Sequence, residues 1–170
     1  MRSVINASGD GGRCSLSRGV DIKLSRLGRP EMLGMASGIL LVLSTLMPWF
    51  STNPSNPHSK IQGHHGLANA WQAFDFLQYA LLLIAVVPFI LAWVVVRGHE
   101  LGWNRGELTA IIGFLSLLLV VLNGIILGQP GTVEISLQWG YPVAIIASIG
   151  ILMAGALRQY EAMEKQPPGV

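Results

Sequence analysis

The sequence predicts an all-α membrane protein with four transmembrane helices in an antiparallel bundle of two hairpins, both termini cytoplasmic. Three observations lead there. Hydrophobic residues make up 51% of the 170 and charged ones 12%, whereas soluble domains carry about 25% charged residues. With a mean hydropathy of +0.52, the chain lacks the polar surface to cover a water-facing sphere. Second, the apolar residues fall into four blocks, 32–50, 73–96, 108–127 and 139–157, without Lys, Arg or Glu and with Asp75 as their only formal charge. Each block is about 19 to 24 residues long, enough at about 1.5 Å per residue to span roughly 30 Å of hydrocarbon. Third, the basic residues are unevenly shared. Arg2, Arg13, Arg18, Lys23, Arg26, Arg29, Arg97, Arg105, Arg158 and Lys165 lie in the arm, the middle loop and the tail, against Lys60 alone in the other two loops. Basic residues concentrate in cytoplasmic loops, so the loops 51–72 and 128–138 are expected outside.

Residues 1–31 form a basic, glycine-dotted cytoplasmic arm whose first part lacks apolar periodicity and is expected to be disordered. Met32 or Met35 is an alternative start. Cys14 is the only cysteine, so no intramolecular disulfide is available. The first block reads as an uncleaved signal anchor, because Pro48-Trp49-Phe50 stands where a cleavage site needs small residues. Residues 32–157 make the transmembrane domain and 158–170 a short cytoplasmic tail.

Helix packing in lipid relies on close van der Waals fit. The expected contact residues are Gly34 and Gly38 on the first helix, with Ser148, Gly150 and Ala154 on the fourth, which carries Ala144-x-x-x-Ser148 and Gly150-x-x-x-Ala154. Pro88 removes a donor from the interior of the second helix and frees the Ile84 carbonyl, whereas Pro142 falls in a first turn, where the loss is harmless. Trp49, Trp71 and Trp139 are expected as outer interface anchors, with Trp93 and Trp103 near the inner end. Arg29-x-Glu-Met32 and Arg105-x-Glu-Leu108 open the first and third helices alike, so the two hairpins read either as a duplication or as convergence on one kind of helix start.

The stretch from His58 to Tyr79 carries three of the four histidines. Zinc needs three or four converging ligands. His64 and His65 are adjacent, with His58 six residues and Asp75 ten residues away, so these are solvated loop residues first. His64, His65 and Asp75 are the weak metal candidates. Asp75, Gln78 and Tyr79 share a face at helical spacing, and Asp75 is expected to bond Asn123 or backbone near the outer end. No catalytic pair, phosphate loop or cofactor motif is present in the sequence, and the scattered bases do not form a nucleic-acid surface.

The segments "LLVLSTLMPWF", "NAWQAFDFLQYALLLIAVV" and "LQWGYPVAIIASIGILMAGALR" resemble small four-helix integral membrane proteins of actinobacterial type. That group has no assigned activity, so the resemblance implies a fold and no site residues. The function expected is that of a non-enzymatic accessory or interaction subunit in the cell membrane. Its partners would be the lipid bilayer and a second copy or another membrane protein. The alternative is a small-molecule or metal-ion sensor or transporter component, with an outer vestibule at Asp75, His64 and His65.

Overall fold

The computed structural model describes residues 28–97, 105–123 and 134–164. Helix α1 (Arg29–Leu46) leads into strand β1 (Pro48–Thr52). A loop then returns to β2 (Leu67–Asn69), the one-turn helix α2 (Ala70–Ala73) and the long helix α3 (Leu77–Arg97). The second part holds α4 (Arg105–Val121), β3 (Ile135–Leu137) and α5 (Gly140–Glu164).

Two expectations are corrected. The chain is not all-α: among the described residues five helices are joined by a three-stranded antiparallel sheet in the order β2-β1-β3. Nor are there four equivalent spans. Among the described helices, two are long and apolar enough to cross a membrane, α3 with 21 residues and α5 with 25. α1 has 18 residues and opens on the polar Arg29-Pro30-Glu31, while α4 has 17. At about 1.5 Å per residue α1 reaches about 27 Å, short of roughly 30 Å of hydrocarbon.

Pro48 is the reason the first block stops early. A residue before proline is pushed out of the α region, and Met47 adopts φ −75° and ψ 156°. Its N–H donates to Ser44 O at 3.2 Å, and the chain continues extended. Pro48-Trp49-Phe50, helical by hydropathy alone, is therefore strand. Pro48 pairs with Asn69 and Phe50 with Ala68, so Trp49 is the extra residue of a bulge. A regular strand points successive side chains to opposite faces, and a bulge relaxes that alternation. Trp49 and Phe50 are both fully buried.

The second block also starts differently. Asn69 caps α2 in a capping box, accepting from Gln72 N–H at 3.0 Å while the Gln72 side chain accepts from Asn69 N–H at 3.3 Å. The helix breaks at residues 74–76 and resumes at Leu77. At the other end, α5 runs to Glu164, through part of what the sequence assigned to a tail. The expected arm overlaps α1 from Arg29, and its residues 1–27 lie outside the described residues.

α5 is the central helix, packed along both α1 and α4; α3 lies against α1 and only lightly against α4. Missing side chains set these approaches. A Cβ on Gly113 would strike the Leu152 backbone, one on Gly155 the Ala110 backbone, and one on Gly150 the Ser37 side chain. A Cβ on Gly38 would lie 2.7 Å from Ala85 O on α3. Inside the α4–α5 seam, Ser148 Oγ donates to Ala144 O at 2.8 Å, so the 2.8 Å contact between Ser116 and Ser148 has Ser116 as donor.

Candidate functional site

The sheet gathers chain from both halves at one end of the helices. Beneath it lies a ring cluster. Trp49 meets Phe74 and Tyr141 edge to face, each at 5.7 Å between centroids, and Phe50 meets Phe74 at 5.7 Å. The indole N–H of Trp49 donates to Ser44 O at 2.7 Å, which satisfies the one polar atom of a buried ring. Gly140 admits the indole, since a Cβ there would lie 2.5 Å from Trp49 Cδ1.

The segment between β1 and β2 is folded into this end of the molecule. Ile61 and His64 exchange backbone hydrogen bonds of 3.0 and 2.8 Å around Gln62 and Gly63. Both central residues have positive φ, 47° and 85°, as a type I′ turn requires. Ile61 is thereby tucked fully under the turn. Gly66 donates its N–H to Thr52 Oγ1 at 2.6 Å, and Thr52 N–H donates to Gly66 O at 3.0 Å. Buried Ser59 accepts from Asn53 N–H at 3.1 Å and donates to Glu134 O at 3.4 Å. Asn53 Nδ2 also donates to the Glu134 carboxylate at 2.6 Å, binding this loop to the chain that enters β3.

Beside this junction, Ser51, Thr52, Asn53, Glu134, Ile135 and Ser136 line an open groove of about 510 Å³. β3 borders it. Gln138 N–H donates to Trp49 O at 2.8 Å, so the alternating antiparallel pattern aims the Ile135 and Leu137 backbone groups away from β1. Among the described residues no strand pairs with that far edge. The groove presents both apolar and polar surface, and the β3 edge offers strand-type donors and acceptors.

The candidates named from sequence are distributed as follows. His64 and His65 are exposed at the turn. Asp75 is corrected in both respects: it sits exposed in the bend before α3, outside the helix, and it does not meet Asn123. Its Oδ1 accepts from Gln62 Nε2 at 3.1 Å, while Asn123 Nδ2 donates to Leu119 O at 2.9 Å. The helix break also removes the shared face with Gln78 and Tyr79; Gln78 instead donates to Asp75 O at 3.1 Å, and Tyr79 packs against Trp71. Among the described residues no group of three or more His, Cys, Asp or Glu is placed to hold a metal ion.

Trp49 is corrected from interface anchor to core residue, because the bulge turns it inward. Trp139 is 75% exposed, and Trp71 is partly exposed with its N–H on Thr45 Oγ1 at 3.3 Å. Trp103 lies outside the described residues. Gly34, Gly38, Ser148, Gly150 and Ala154 all sit at helix contacts. Gly106, Gly113 and Gly155, with Ser116, also line the α4–α5 seam, and none of them stands in a small-residue pair singled out by sequence. Gly106, Thr109, Gly113 and Ser116 follow one another at three, four and three residues, a seam spacing that a search for small-x-x-x-small pairs alone does not collect. Nor does sequence spacing announce the ion pair of Glu31 and Arg158, which joins α1 to α5 at 2.7 Å.

No family model, no curated protein and no solved structure matches the chain.

Proposed function

We propose that the protein is a non-enzymatic subunit of the cell membrane that presents its sheet to a partner in an envelope assembly. In this reading α3 and α5 anchor it, with the sheet on the outer face and the helix ends that carry Arg97 and Arg158 on the cytoplasmic side. The ten-to-one division of basic residues supports that orientation. Exposed Leu83, Phe114 and Ile146 support a lipid environment along the helices.

The open edge of β3 beside the groove is the observation that carries the interaction reading. An extended polypeptide segment adding there as a fourth strand would gain main-chain hydrogen bonds from the edge and side-chain contacts from the groove. The test is purification of the full chain in mild detergent after cross-linking in cells, beside Leu137→Pro, which removes an edge N–H. A stoichiometric partner lost from the variant supports the proposal; a partner retained unchanged by it sinks strand addition.

The second reading, a small-molecule or metal-ion sensor or transporter component, rests on one contact. The Gln62–Asp75 hydrogen bond draws Asp75 to the turn that carries His64 and His65. Metal analysis of the same preparation separates the readings. Near-stoichiometric zinc, lost in the His64→Ala, His65→Ala double variant, would favour the second.

A further inference from the structure

At the end of the bundle opposite the sheet, Arg158 Nη1 meets Glu31 Oε1 at 2.7 Å, with the Glu31 side chain only 8% exposed and that of Arg158 19%. A carboxylate has two oxygens to satisfy. Oε2 of Glu31 is buried and has no hydrogen-bond partner among the described residues, a state that buried charged groups rarely keep. Beside it is a chamber to which all four long helices contribute, with Glu31, Gly34, Pro88, Leu91, Thr109 and Arg158 among its walls. The centre of a water-sized sphere has about 10 Å³ there, close to the roughly 10–15 Å³ that one water needs.

The charges of Glu31 and Arg158 offset each other, so the chamber favours neither a bare cation nor an anion. A small neutral molecule with an O–H donor matches both the space and the unpaired oxygen. We propose that this chamber is a binding site for a single water, which donates to Glu31 Oε2 and completes the ionic joint between α1 and α5.

Gly34 gives the test its variant. A Cβ there would stand 3.5 Å from the Ala154 and Pro88 Cβ atoms, ordinary contact distances, so Gly34→Ala takes up chamber space without forcing the helices apart. Radiolytic hydroxyl-radical labelling of the full chain in detergent reads bound water directly, since radicals form where water sits. In the parent chain Leu91, though only 5% exposed, is expected to be oxidised at a rate like that of exposed Leu67, while buried Leu81 stays protected. In Gly34→Ala the Leu91 signal should be lost while Leu67 is unchanged. Protection of Leu91 equal to that of Leu81, or labelling that persists in Gly34→Ala, overturns the proposal. If the variant does not fold, the parent comparison of Leu91 with Leu81 decides alone.

Discussion

Both halves of the molecule run from helix through strand to helix, the first with two strands and the added one-turn helix α2, and they are held by different physics. In the second half α4 and α5 approach through a stripe of missing side chains, Gly113 against Leu152 and Gly155 against Ala110, with the Ser116–Ser148 bond inside it. In the first half α1 touches α3 through Gly38, and the weight shifts to the sheet end, where Trp49 and Phe50 fill the core beneath a folded loop. Similar openings, Arg29-x-Glu and Arg105-x-Glu, thus begin hairpins whose stability comes from a backbone seam in one case and from buried rings in the other.

Substitutions separate the two. Trp49→Ala removes a fully buried indole and its hydrogen bond, a loss of about 4 kcal/mol on the scale of buried aromatic truncations. It should loosen the sheet end first, giving early tryptic cleavage after exposed Lys60. If melting drops with no change at Lys60, the separation of the halves is wrong. Gly113→Val drives a side chain into the Leu152 backbone and should cost about 3 kcal/mol by overpacking. Here the thermal midpoint in detergent should fall while Lys60 stays protected at low temperature. Ser148→Ala strips the partner from buried Ser116 and should cost about 1 kcal/mol, read from the same melts. An unchanged midpoint would show that the seam needs only its small size.

The smallest effects belong to the residues that looked most chemical. The double change His64→Ala, His65→Ala and the single change Asp75→Asn should each shift stability by less than about 0.5 kcal/mol, because these side chains are exposed. A larger loss with Asp75→Ala, which unlike Asp75→Asn removes the acceptor of the Gln62 Nε2 hydrogen bond, would mean that this bond pins the loop in place.

The long helices and their small-residue contacts were legible because hydropathy and Gly-x-x-x-Gly spacing report burial directly; Gly34, Gly38, Ser148, Gly150 and Ala154 are all at contacts. The sheet was not. β1 begins inside an apolar block, and its Trp49-Phe50 pair breaks the strand alternation through a bulge, so nothing periodic marked it. Pro48 was the usable signal, read as a clue against cleavage and not as a helix stop. The candidate groove was hidden for another reason. Asn53 and Glu134 come from distant loops, and no local pattern announces their 2.6 Å bond. Asp75 was misplaced because a continuous apolar run conceals the break at residues 74–76.

The β1–β3 ladder has a consequence for how the chain is made. Thr52 pairs with Ile135, so this ladder cannot close until the ribosome has produced both helix–strand pairs. Closing so long a loop is slow compared with forming helices, whose contacts are local. The first half therefore emerges with β1 paired to β2 alone and one backbone edge open until β3 arrives. Synthesis stalled before β3 should leave that edge open, and the arrival of Ile135–Leu137 would close it while the bundle still awaits α5, the helix on which α1 and α4 pack.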